Sequence, residues 1–500
     1  MFEGLALFGG SLATFASPFS LLLIAASSFA GIVIGALPGL TATMGVALLT
    51  TLTLKMPPDL AILVLICTYV GAIYGGSRSA ILLNIPGTPA NAAACLDGHA
   101  LARRGLAGRA MGISTTGSVM GTLVGIFFLA LFTPALGEVA LKFGAFEFFW
   151  LALFGVVISG NLTGNDPLKG WLAGFFGLFI ASIGSDPIHS YERFSFDNRD
   201  LAGGFGLIPA LVGAFGFAEV LIALSEKMAR PAIVSFDSFL PRIADVLKYW
   251  KTILRSGLIG TFVGIIPGVG EDVASWSSYA AARRASKNPE EYGKGSVEGL
   301  MAAETGDNAC VPGAIIPVLA LAIPGSAPAA MLMAAMIIHG VKPGPLIMVE
   351  NPQFVYDVVA MMLYATLGIL VFGLVMVRPL IKILQVPREV IMPIVFVLCL
   401  IGAYSISQRV FDIWVMLGFG VIGYLLRRYN YPMAPFVLGI VLGDLLDKNL
   451  RRGLVLSDGD LTPFFTRPIS AALFLLCLLT VIMNIGWFRR TLRRVFVRSR

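Results

Sequence analysis

Four Pro-Gly breaks inside apolar sequence constrain this chain more than any other feature, and they come as a duplicated pair. Residues 35–43 read GALPGLTAT and residues 83–93 read LNIPGTPANAA; in the second half, 264–272 read GIIPGVGED and 321–331 read LAIPGSAPAAM. Proline removes a backbone donor and clashes with the preceding turn, so each motif interrupts a helix. In hydrocarbon, every N–H and C=O released by such a break must be paired again within the protein, so these breaks survive only where they are packed or line a cavity. Broken segments at corresponding places in two halves point to a solute site near the bilayer midplane.

The bilayer is implied by composition. Of the 500 residues 57% are hydrophobic and only 13% charged, with a mean hydropathy of +0.85, whereas soluble domains carry about 25% charged residues. Spans need about 20 apolar residues each. Apolar stretches lie at 21–51, 60–75, 112–131, 146–160, 170–183 and 201–224, and again at 253–282, 314–338, 355–377, 390–405, 413–426, 433–445 and 469–487. The expected fold is all-α and polytopic, with about 12 membrane segments. Only Met1, Phe2 and Glu3 precede the first apolar run, so no charged leader region and no cleaved signal peptide are expected.

The net charge of +7 is clustered: Arg103, Arg104 and Arg109; Arg283, Arg284 and Lys287; Arg427 and Arg428; and the tail 489–500. Basic loops stay on the cytoplasmic side, so these segments and the C-terminus are expected there. The clustering reads as topology, with lipid binding by the tail as a second option, and not as a nucleic-acid footprint. Cys67, Cys95, Cys310, Cys399 and Cys477 have apolar neighbours and no metal-ligand spacing, so they read as small buried hydrophobes.

Pro38 and Pro267 stand 229 apart, and Pro86 and Pro324 stand 238 apart. The nine-residue drift falls in the loop between the motifs, short at 55–59 and longer at 282–295, where a duplicated unit best tolerates insertion. Between the motifs, the first copy carries Lys55 alone and the second carries Arg283, Arg284, Lys287 and Lys294. After the second motif the bias reverses, with Arg103, Arg104 and Arg109 against Lys342. Equivalent loops of opposite bias belong on opposite faces, which predicts two inverted-topology repeats, each with a Pro-Gly-broken helix and a re-entrant hairpin. The expected division is 1–229 for the first repeat, 230–252 for a linker, 253–460 for the second repeat and 461–500 for a last helix with a basic tail.

An interrupted helix offers free N–H groups with about half a positive charge at one end and free carbonyls with about half a negative charge at the other. Asn84, Thr88, Asn91, Asn308 and Ser326 are the expected substrate contacts, because small polar groups can donate to a carboxylate without burying a full positive charge. Thr88, Asn91 and Ser326 can equally cap the half-helix that follows. Ser77, Arg78 and Ser79 stand just upstream; Arg78 is read as interfacial, the alternative being a fixed countercharge. Pro38, Gly39, Pro86, Gly87, Pro267, Gly268, Pro324 and Gly325 shape the turns.

Glu271, Asp272 and Asp307 are the expected cation-coupling groups, since intramembrane carboxylates are costly and usually functional, and oxygen clusters suit Na+ or a shared proton. Glu304 reads either with them or with a solvated face reached from Glu298. His99 and His339 are expected to be structural, at the far ends of the hairpins. Asp444 and Asp447 have metal-pair spacing but read better as a charged boundary beside Lys448, Arg451 and Arg452. No GxxxxGK[ST], HExxH or GxSxG is present, so an enzyme is not expected, nor is any cofactor beyond the coupling ion, Na+ or H+.

At these residues the chain resembles the large membrane subunit of tripartite tricarboxylate transporters, the TctA family. The resemblance rests on GALPGLTATMGVALL, YGGSRSAILLNIPGTPANAAACLDGHALARRG and GRAMG in the first half. In the second it rests on GTFVGIIPGVGEDVASW, SKNPEEYGKGSVEGLMAAE and PVLALAIPGSAPAAMLMAAMIIHGVKPGPL. It implies a bacterial inner-membrane secondary transporter that takes up citrate and other small carboxylates with a coupling cation. The implied partners are a small four-helix membrane subunit (TctB-like) and a periplasmic solute-binding protein (TctC-like). Where many relatives carry a Gly-Gly-Thr-like stretch and an Asn-Asn pair, this chain has Gly270, Glu271, Asp272 and then Asp307, Asn308, which favours a smaller anion or a different coupling ion. The rival readings are a passive anion channel, an intramembrane enzyme acting through Glu271, Asp272 and Asp307, and a receptor-like scaffold.

Overall fold

The computed structural model describes residues 2–37, 39–163, 166–186, 188–225, 243–384 and 386–484. Pro38, most of the expected linker and the basic tail 489–500 therefore lie outside the described residues. Eight of the described helices are long and apolar enough to cross a membrane, and five shorter helices are apolar. The chain is a predominantly helical, multi-pass membrane protein; its only strands among the described residues are Gly184–Ser185 and Glu192–Arg193, paired antiparallel.

Packing groups the chain along lines other than the expected repeats. One unit comprises Met1–Glu138 and Ile208–Tyr424, and a second comprises Val139–Leu207 and Leu425–Arg500. In the second unit, Asp447 accepts from both Nη atoms of Arg193 at 3.1 and 2.9 Å and from Arg451 Nε at 3.1 Å. Arg451 also pairs with Asp186 at 2.5 Å. The Ile188 N–H holds the Asp186 carboxyl below the usual carboxylate range, with His189 N–H, Arg451 and Arg193 adding to it.

The first unit holds the motifs. Its relevant helices are α1 (Pro18–Ala36), α2 (Ala42–Leu52), α3 (Pro58–Leu83), α4 (Ala107–Ala140), α5 (Ile243–Ile265), α6 (Gly270–Ala285), α7 (Val297–Leu321) and α8 (Ala327–Ile338). The apolar run 21–51 is thus two helices separated by the first break. Two expected stretches change length. α3 runs eight residues beyond Gly75, and α7 begins well before Ala314, because Ser77, Arg78, Glu304 and Asp307 are buried and paired within the protein, which a hydropathy reading does not register.

Local geometry matches between the two halves. α3 closes on Asn84 and α7 on Ala322, both left-handed, with φ 56° and 57°. Ile85 N–H and Ile323 N–H then turn back to the carbonyls of Ser79 and Pro317 at 3.5 and 3.2 Å. The chain folds back along its own helix, with Gly87 N–H donating to the Gly76 carbonyl at 3.2 Å and Gly325 N–H to that of Ala314 at 3.3 Å. Each of these pairs stands 238 residues apart. A Cβ at Gly35 would strike the backbone of Ala72, and one at Gly264 would strike that of Cys310, Gly313 and Ala314. Small residues thereby let α1 meet α3, and α5 meet α7, backbone to backbone.

The loops meet crosswise. Thr53 Oγ1, after α2, lies 3.3 Å from His339 Nε2, after α8. At the opposite end of α3, Asp97 accepts from the N–H groups of Gly293, Gly295 and Ser296, each at 2.8 Å, and from Tyr279 Oη at 2.8 Å. The nearby His99 Nδ1 lies 3.1 Å from the Ile81 carbonyl, so both histidines sit at the outer ends of the hairpins.

Candidate functional site

Two buried polar clusters lie between the fold-backs, about halfway along α3 and α7. In the first, Tyr69 on α3 donates to Glu271 Oε1 at the start of α6. Ser326 Oγ lies 2.8 Å from both Tyr69 Oη and Glu271 Oε1, and it also accepts from Ala329 N–H at 3.4 Å. Ser326 therefore caps α8 and holds Glu271 at once.

In the second cluster, Asn91 Nδ2 lies within hydrogen-bonding distance of the Ile73 carbonyl (3.0 Å), Ser77 Oγ (2.9 Å) and Asp307 Oδ2 (3.1 Å). Thr88 Oγ1 donates to Asn91 Oδ1 at 2.5 Å, so the Thr88 side chain fixes its neighbour and does not cap the turn. On α7, Asn308 Nδ2 reaches Asp307 Oδ1 (2.7 Å), Ser118 Oγ (2.9 Å) and the Glu304 carbonyl (3.1 Å). Glu304 Oε2 accepts from Ser77 Oγ at 2.8 Å and Ser118 Oγ at 3.1 Å.

The contacts cross between the halves. Tyr69 and Asp307 stand at equivalent places, 238 apart, and each reaches the other half: Tyr69 to Ser326 and Glu271, Asp307 to Asn91. Cys310, fully buried one turn beyond Asp307, is within electrostatic range of Glu271, Asp272 and Asp307. Most expected residues thus converge, namely Thr88, Asn91, Glu271, Asp307, Asn308 and Ser326. Asp272 is half-buried beside Glu271, and Asn84 is exposed at the end of α3. Gly39 and Gly268 carry φ of 94° and 71°, and Gly87 and Gly325 are too closely packed to carry a Cβ. Equivalent turn positions differ in exposure: Asn84, Pro86 and Pro89 are exposed, while Ala322 and Ala327 are half-buried and Pro324 is buried.

One expectation is corrected and one open alternative is closed. The Arg78 side chain does not reach out to an interface: it is 2% exposed. Its guanidinium donates to the Met111 carbonyl at 3.3 Å and to Ser114 Oγ at 2.9 Å, and it stacks 4.1 Å above the Tyr74 ring. It is not a snorkelling residue because α3 continues past it and α4 supplies acceptors for its head. Glu304 has no exposure, so it does not share a solvated face with Glu298. Sequence reading missed Tyr69 and Ser118. Tyr69 is legible only through its offset from Asp307, and Ser118 through the polar run ISTTGS at 113–118 in an apolar helix.

Chemically, Glu271, Glu304 and Asp307 are buried carboxylates served mainly by neutral donors, with Arg78 the buried cation in electrostatic range of Glu304. Burial of unneutralised carboxylates is strongly unfavourable, so the clusters call for bound cations or protons. Among the described residues no group of three His, Cys, Asp or Glu side chains is arranged to hold a metal ion, so any ion here would take largely neutral oxygens.

Residues 21–438 match the model of the tripartite tricarboxylate transporter TctA family. The chain is 34% identical over 455 residues to a 52.8 kDa Agrobacterium vitis protein from the TAR-I ttuC' 3' region, covering 91% of this chain and 90% of that protein. It is 36% identical over 224 residues to a second A. vitis protein, from the TAR-II ttuC' 3' region, covering 45% of this chain and 93% of that protein. No solved structure matches.

Proposed function

From its membership of the tripartite tricarboxylate transporter TctA family, to which this chain belongs, we propose that it is the large membrane subunit of a carboxylate importer driven by a cation gradient. The family is one of transporters, and family membership implies other subunits. The proposed partners are a small four-helix membrane subunit and a periplasmic solute-binding protein. The proposed location is a bacterial inner membrane, with the basic tail cytoplasmic.

The observation that carries this reading is the bond from Asn91 to Asp307 between the two fold-backs, mirrored by Tyr69 with Ser326 and Glu271. The crosswise meeting of loops supports an inverted repeat: the loop between the motifs of one copy touches the segment after the second motif of the other, at both ends. Such repeats build a midplane site that opens alternately to each side, and unequal exposure at equivalent turns fits one half standing more open.

Coupling follows from charge. At about 5 Å and an effective dielectric near 20, each carboxylate repels an anionic substrate by ~3 kcal/mol. A cation or proton that neutralises Glu271, Glu304 or Asp307 removes that repulsion, so it favours the anion and is favoured by it in turn. Asn91, Thr88, Ser326 and Nδ2 of Asn308 are the proposed substrate contacts once neutralisation frees them; Glu271, Asp272 and Asp307 remain the proposed coupling groups, acting by their charge on whatever cation or proton binds beside them.

The test is uptake of labelled di- and tricarboxylates into proteoliposomes holding both membrane subunits, with binding protein outside and an imposed Na+ or H+ gradient. Accumulation against the substrate gradient is expected, and Asp307→Ala should abolish it with insertion intact. Flux that only runs downhill without cation dependence would instead indicate a channel. Product formation in detergent would indicate an enzyme.

A further inference from the structure

One turn of α7 carries three oxygens with no hydrogen-bond partner: Glu304 Oε1, Thr305 Oγ1 and Asn308 Oδ1. All three residues have zero exposure, and orphaned acceptors at such depth are costly. Asn308 stands four residues from Glu304 and three from Thr305, so it neighbours both on the helix surface. The orientation of Asn308 is fixed: its Nδ2 is within reach of Ser118 Oγ, Asp307 Oδ1 and the Glu304 carbonyl, which leaves Oδ1 facing away from every donor. Glu304 is held likewise, its Oε2 taking both Ser77 and Ser118 hydroxyls and the Ser114 hydroxyl also acting on the carboxylate, while Oε1 has no hydrogen bond of good geometry. The same turn has a further oxygen short of its helical donor, because Pro312, four residues on from Asn308, has no N–H to give the Asn308 carbonyl.

Resting on the cation-coupled reading above, we infer that this turn is the seat of the driving ion and that the ion is Na+, bound by Glu304, Thr305 and Asn308. A proton bridges two oxygens and would leave a third unmet. A hard cation gathers several oxygens at once, and one carboxylate with neutral hydroxyl and amide oxygens matches a single positive charge. Asp307 stands beside the set and adds its charge: its oxygens accept from the amides of Asn91 and Asn308, so it orients Asn308 and links the ion to the first fold-back. Occupation of this turn would thereby bear on Asn91 and Thr88, one half away.

The experiment measures equilibrium binding of radioactive 22Na+ to the purified full-length chain in detergent, with K+ holding ionic strength constant. Saturable binding is expected in the wild type and its loss in Glu304→Gln. Thr305→Val should weaken binding about tenfold, the effect of losing one oxygen partner, and Thr305→Ser should restore it. Should Glu304→Gln not fold, the Thr305 pair decides the matter. Wild-type affinity in Thr305→Val, or no saturable 22Na+ binding by a complex that accumulates substrate on a pH gradient, would overturn the inference and leave the transport reading intact. Saturable, Thr305-dependent Na+ binding by a complex that takes up no carboxylate would do the reverse.

Discussion

Gly76 and Asn91 are a matched pair, and the other half of the chain shows why. A Cβ at Gly76 would strike Asn91 Oδ1 and come within 3.0 Å of Asn91 Cγ and of Thr88 N. The equivalent positions, 238 residues on, are Ala314 and Ala329, where the methyl at 314 is tolerated because 329 has no amide to displace. Gly76→Ala is therefore expected to lower stability by about 1–3 kcal/mol, the range for overpacking a full core, and the same substitution in an Asn91→Ala background should cost less than half of that. The two single variants and the double, compared by thermal midpoint in detergent, give the coupling directly. A neutral Gly76→Ala would show that Asn91 does not hold the position described.

At the scale of elements, Asp97 ties the helix that leaves the first fold-back to the loop between α6 and α7. One carboxylate oxygen takes three backbone N–H groups and the other takes Tyr279 Oη. Asp97→Ala leaves those three amides without an acceptor, and charged hydrogen bonds are worth about 1.5–3 kcal/mol each. Hydrogen exchange in a peptide spanning 292–297 should accelerate about 100-fold, since local opening governs protection there. Tyr279→Phe, which removes only the fourth bond, should change it far less. Equal acceleration in both variants would mean that the loop is held by the tyrosine and not by the carboxylate. This tie joins the two halves at one end as Thr53 with His339 does at the other, so the proposed alternation of access requires both to yield or to move as bodies.

For the whole molecule the decisive prediction concerns sidedness. Lys55, Arg104, Lys294 and Lys342 are all exposed. Single cysteines at these positions, in a background free of the native five, should label in two groups from opposite faces: Lys55→Cys with Lys342→Cys, and Arg104→Cys with Lys294→Cys. Labelling of 55 and 294 from one face would remove the inverted repeat. Much of this was legible in the chain itself, because a break inside apolar sequence leaves the same mark wherever it lies: the four Pro-Gly turns, the 229 and 238 offsets and most of the polar residues that converge were readable directly. Family membership followed from the same motifs. Helix ends were not legible where polar side chains satisfy one another, and so the burial of Arg78 and Glu304 and the real lengths of α3 and α7 depended on partners such as Ser77, Met111, Ser114 and Ser118. Sequence by itself determined a helical, multi-pass membrane chain broken at matching Pro-Gly motifs, since bilayer depth and backbone satisfaction act on each segment alone. Only the tertiary structure decided that Tyr69 and Asp307 cross into opposite halves and that three oxygens on one turn of α7 lack a donor, since hydrogen bonds between residues some 200 positions apart arise from packing and leave no local signal.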